Sequence, residues 1–101
     1  MAGAPNILIS RPHKLGPQGI RLTIGKVAAD MAEKYKITYA WEGPNVNFQC
    51  PAGIARGLRG TIYTGPTQVQ IAIFLPLMLQ SFKKSIDEGV RETLDARLAS
   101  A

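Results

Sequence analysis

The chain has 101 residues, 46% hydrophobic and 19% charged, a balance that suits one globular domain and excludes wholesale disorder. Its net charge of +5 is concentrated early: residues 1–74 hold eight Lys and Arg against three Asp and Glu, while the remainder holds four of each. No more than two basic residues stand in succession, so dispersed solubilising charge explains the excess better than a nucleic-acid or headgroup tract, and the single cysteine, Cys50, excludes an internal disulfide.

The first residues lack a basic start followed by a long apolar stretch, so no signal peptide is expected and the cytoplasm is the default compartment. One domain over residues 6–98 is expected, with small-residue tails at 1–5 and 99–101 that fray.

In chain order, "NILIS" (6–10) reads as a first strand, stopped by Pro12. "RPHKLGPQG" (11–19) is a turn into a helix, with Pro17 placed in the first helical turn. From Pro17 to Lys36 the period is helical: Ile20, Ile24, Val27, Met31 and Tyr35 form one apolar stripe. Gly25 lowers helix propensity by about 1 kcal/mol relative to Ala, which close packing against the sheet would explain.

"ITYAWE" (37–42) alternates, putting Ile37, Tyr39 and Trp41 on a core face. After the "GPN" turn, Val46, Phe48 and Cys50 share a face, so these runs form a hairpin. The Gly-rich "PAGIARGLRG" (51–60) is a loop or a bulged strand, "TIYT" (61–64) a strand, and "GP" (65–66) a turn. "QVQIAIF" (68–74) puts Val69, Ile71 and Ile73 on one side.

The nine-residue apolar run Ile71–Leu79 is broken by Pro76, which ends a strand near Phe74 and opens a helix. A membrane span needs roughly 20 apolar residues, so none is expected. The last helix carries its stripe through Phe82, Ile86, Val90, Leu94 and Leu98, with four-apart charge pairs Lys83–Asp87, Lys84–Glu88 and Asp87–Arg91 outside it. The order β-α-β-β-β-β-α predicts an α+β two-layer sandwich, an antiparallel sheet with two helices on one face. Thr38, Ala40, Glu42, Asn47 and Gln49 fall on its water-tolerant side.

Catalytic equipment is sparse. One His and one Cys fall short of a transition-metal ligand set, and Asp87, Glu88, Glu92 and Asp95 among Lys and Arg read as a solvated helix face. Cys50 alternates with Val46 and Phe48 as a small buried hydrophobe, so a Cys50–His13 pair ranks low. "GLRG" (57–60) matches the G-x-x-G loop of KH domains but precedes a strand, so glycines serving a bulge or close strand approach are preferred. There is no GxGxxG or P-loop, and no cofactor is expected. Arg11, His13 and Lys14 place positive charge beside a helix start, where an anion can bind, although a rigid strand-to-helix corner is the preferred reading.

The segments "ILISRPHKLG", "AEKYKITYAWEG", "GLRGTI" and "LPLMLQSFKKSIDEGV" together resemble the polyhydroxyalkanoic acid system family, small bacterial proteins also called polyhydroxyalkanoate granule region proteins. "CPAGIAR" (50–56) is extra length against that pattern, and "YTGPTQ" (63–68) stands where a more acidic turn is expected. The resemblance implies a setting in bacterial polyester storage and supplies no reaction, cofactor or catalytic residue.

The leading expectation is a non-enzymatic accessory protein that binds a hydrophobic partner: the granule surface, a granule protein, or a second copy of the chain as a homodimer. Phe74, Leu75, Leu77 and Met78 are its candidate contact surface, because one helical stripe can face the sheet and Leu77 and Met78 exceed it, although completion of the core by all four is the preferred reading. The alternatives are an acyl carrier with an apolar pocket between sheet and C-terminal helix, beneath Ile86 and Val90, and a nucleic-acid-binding regulator using the basic first part.

Overall fold

The computed structural model describes residues 4–53 and 55–101. Residues 1–3 of the expected N-terminal tail, and residue 54 of the Gly-rich segment, lie outside the described residues. The elements run β1 (Ile7–Pro12), α1 (Gly16–Tyr35), β2 (Thr38–Glu42), β3 (Asn45–Gln49), β4 (Arg59–Thr64), β5 (Gln68–Phe74), a 3-10 turn (Leu77–Phe82) and α2 (Lys83–Ala99). This is the expected α+β order β-α-β-β-β-β-α.

The five strands form one antiparallel sheet in the order β1-β5-β4-β3-β2. Period-two alternation sets its two faces. Ile9, Ile71, Ile62 and Val46 stand opposite one another across four strands, and so do Ile7, Ile73, Gly60 and Phe48. All of these except Gly60 are buried, and the helices lie over them: α1 above β4 and β2, α2 beside α1 above β1. Burying each such Ile or Val contributes about 1.5–3 kcal/mol, so this face supplies much of the folding free energy. The other face is uncovered and carries Thr38, Ala40, Glu42, Asn47 and Gln49, all exposed, as the alternation predicts.

Several boundaries depart from the sequence reading, each for a local reason. β1 continues through Pro12, opposite Gln68, because β1 is an edge strand where a missing N–H costs no ladder bond. α1 stops at Tyr35 instead of Lys36, which adopts the left-handed conformation that ends helices (φ 60°, ψ 34°). The described residues of the "PAGIARGLRG" segment form a loop ending at Leu58, which is buried, followed by β4. Its ends are tied by Cys50 N–H to Leu58 O (2.8 Å) and Gly57 N–H to Cys50 O (2.9 Å).

Tyr39 and Trp41 were expected in the core. Tyr39 is 38% exposed and Trp41 half-buried, because β2 is the far edge strand and α1 covers it only in part. Arg21 finishes that cover, with its guanidinium 4.2 Å from the Trp41 ring centroid. Close packing does not require glycine at position 25, where an added β-carbon would sit 4.0 Å from Trp41, an ordinary contact. It does at Gly60, where a β-carbon would collide with the Ala72 carbonyl oxygen and the Phe48 ring.

The helices meet through a second close approach. Gly89 of α2 is buried and lies against the Tyr35 hydroxyl and the Lys34 ammonium of α1. Burial holds the Tyr35 hydroxyl above its ordinary pKa, with Glu92 adding to the effect. Farther along, Arg97 of α2 donates to both carboxylate oxygens of Asp30 of α1, at 2.7 and 2.8 Å. That bidentate pair holds the Asp30 carboxyl below its usual pKa.

Candidate functional site

The segment that leaves the sheet and enters α2 is the most unusual part of the surface. Pro76 is extended (φ −65°, ψ 160°), which turns the chain out of β5 and presents its carbonyl to the Leu79 N–H at 2.9 Å. Two side chains anchor the corner. Asn6 Oδ1 accepts the Leu75 N–H at 2.7 Å, and Gln80 donates to the Leu75 carbonyl at 3.1 Å. Behind it, Gly57 (φ +93°) brings the loop before β4 against the Pro76 ring.

A helical start was expected near Pro76. The chain makes a tighter 3-10 turn first, and α2 begins only at Lys83. Phe82 lies between them with φ −102° and ψ 7°, which interrupts the helical progression. The core stripe therefore reads Leu79, Ile86, Val90 and Leu94, and Phe82, expected within it, is 52% exposed.

The four nominated contact residues are divided by this geometry. Leu75 is in the core at 7% exposure, and Phe74 lies on the open sheet face beneath the Arg59 guanidinium. Leu77 and Met78 project into solvent at 87% and 85%. The turn thus exposes Leu77, Met78 and Phe82 within six residues, followed at once by exposed Lys83 and Lys84. Apolar side chains this exposed leave hydrocarbon in water unless a partner covers them. The sequence signalled Phe82 as apolar; only the interruption at the turn's end shows that it faces outward.

Of the expected four-apart pairs on α2, the structure forms Asp87–Arg91, whose hydrogen bond raises the Arg91 pKa. The groove at the helix start, about 570 Å³, is lined by Gln80, Ser81, Lys83, Lys84, Asp87, Glu88 and Arg91.

The nominated anion corner is largely engaged within the fold. His13 is buried, its Nε2 2.8 Å from the Gly65 carbonyl and its Nδ1 accepting the Leu15 N–H at 3.2 Å. Both ring nitrogens thus bridge β1, the start of α1 and the β4–β5 turn. Arg11 pairs with Asp95 of α2 at 2.8 Å and donates to the Ser10 carbonyl. Lys14 is exposed, and a shallow groove passes Arg11, His13 and Lys14 toward Thr67 and Gln68.

Cys50 is buried, with its thiol 3.1 Å from the Ala52 carbonyl. Among the described residues, no three His, Cys, Asp or Glu side chains converge as metal ligands, and no helix is long and apolar enough to cross a membrane. Ile86 and Val90, the expected roof of an acyl pocket, belong to the packed core.

No curated protein and no solved structure matches this chain. A family model does: residues 7–98 match the one described as "Putative polyhydroxyalkanoic acid system protein (PHA_gran_rgn)". That span runs from β1 into the last turn of α2 and includes the sheet, both helices and the exposed turn. The chain therefore belongs to the polyhydroxyalkanoic acid system family.

Proposed function

We propose that this protein is a non-enzymatic accessory factor that docks onto the hydrophobic surface of polyhydroxyalkanoate granules, in the bacterial cytoplasm, through the turn Leu77–Phe82. The observation that carries this reading is the exposure of Leu77, Met78 and Phe82 together on a turn whose entry at Leu75 is held by Asn6 and Gln80. An anchored turn presents apolar side chains at little further ordering cost when they meet a surface. Lys83 and Lys84 supply a polar border that stays hydrated while the apolar tips are covered.

The test is sedimentation with isolated granules at moderate salt. Wild-type protein is expected in the granule pellet, and the Leu77→Asp/Met78→Asp variant in the supernatant, with an unchanged circular dichroism spectrum. A wild-type protein that stays in solution, or a variant that pellets equally, overturns the assignment. A parallel arm with DNA separates it from the nucleic-acid reading, whose mark is binding that falls steeply with salt.

A further inference from the structure

The uncovered face of the sheet holds a second candidate site that involves none of the turn residues. On this face Thr38, Gln49, Arg59 and Phe74 stand in one cross-strand row over β2, β3, β4 and β5. The adjacent row is Ala40, Asn47, Thr61 and Ala72. Its small side chains leave a depression beside the long ones, an open hollow of about 470 Å³.

Arg59 is the one cation lining that hollow, no carboxylate lines it, and among the described residues Arg59 has no acidic partner. Its guanidinium is stacked 4.4 Å from the Phe74 ring centroid. Stacking occupies a face of the group and leaves its N–H edges available. Beside it, Thr61 Oγ1 donates to Asn47 Oδ1 at 2.9 Å, which fixes the amide and leaves its NH₂ donors free. Thr38 Oγ1 likewise points its hydrogen at the Gln49 backbone carbonyl. The hollow therefore offers donors from Arg59 and Asn47 beside the hydroxyl oxygens of Thr38 and Thr61.

We propose that this hollow binds a small organic carboxylate, with Arg59 as a bidentate clamp, Asn47 as a second donor and Phe74 as the support that fixes the clamp. The planar fork matches two carboxylate oxygens, and a lone guanidinium balances the single negative charge of a carboxylate. The proposal is independent of the granule reading.

The experiment is an amide chemical-shift titration of the full chain with 3-hydroxybutyrate, its methyl ester and inorganic phosphate as separate probes. The acid is expected to shift residues 38, 47, 49, 59 and 61 in one saturable process, and the ester and phosphate to leave them in place. Arg59→Gln and Arg59→Lys are each expected to weaken binding at least about tenfold, the second because it keeps the charge and loses the fork. Phe74→Leu, which leaves Arg59 intact but unstacked, is expected to weaken it less. Absence of saturable shifts at these residues, equal shifts with phosphate or the ester, or wild-type affinity in Arg59→Lys would each overturn the proposal.

Discussion

Gly89 shows how one hydrogen atom sets a helix-to-helix distance. In an isolated helix, Gly→Ala adds up to about 1 kcal/mol of stability. Here the new methyl would land on the Tyr35 hydroxyl, with Lys34 Nζ at 3.0 Å. Gly89→Ala is thus expected to destabilise the protein by about 1–3 kcal/mol through overpacking. Tyr35→Phe deletes the obstructing oxygen, so in that background the same Gly89→Ala change is expected to be neutral or stabilising. Urea unfolding of the four proteins in this double-mutant cycle checks both signs. His13 shows the same local determination: a residue nominated for its charge serves as a two-armed connector among three segments.

At the scale of elements, the exit from β5 sorts neighbouring leucines into different roles. Leu75→Ala is expected to cost about 2–5 kcal/mol, because it empties a core site. Leu77→Ala, two residues on and 87% exposed, is expected to change stability by less than about 0.5 kcal/mol. Denaturant melts of the two variants distinguish them. The strands and the α1 stripe were legible in the sequence because period-two and period-3.6 patterns record burial directly: Ile20, Ile24, Val27 and Met31 are all buried. The break at Pro76 was legible too, since proline constrains its own backbone and that of its predecessor. The 3-10 character of the turn was not, because six residues are too few to separate a period of 3.0 from 3.6. That ambiguity is why Phe82 was read inward. The Arg59–Phe74 row was hidden for another reason: it depends on the β4–β5 register, and spacing along the chain does not fix which residues face each other.

At the scale of the whole molecule, two ion pairs tie distant parts together: Arg97–Asp30 joins the helices, and Arg11–Asp95 joins α2 to the edge of the sheet. Their pH dependence has a definite sign for Asp30. Its folded-state pKa is lowered, chiefly by the Arg97 hydrogen bond, so the pair's contribution is present above the ordinary carboxylate pKa and is lost as pH falls through the folded value. Asp30→Asn is expected to lower the melting temperature slightly at pH 7. The gap to wild type should close in acid below about pH 4, as wild-type Asp30 becomes neutral too. Thermal melts from pH 7 to pH 2 read this directly.

The placement of β1 has a kinetic consequence. Among the described strands, β1 is the first in chain order and pairs with β5, the last of them, with Ile7 opposite Ile73 and Arg11 opposite Val69. Until β5 has left the exit tunnel, the nascent chain therefore carries an apolar strand without its sheet partner, and the sheet closes only afterwards. The β2–β3–β4 meander, whose pairings are local, can assemble first. The last strand to join is then the first in chain order, and until it does, the Ile7 and Ile9 side chains stay without the core that covers them in the folded state.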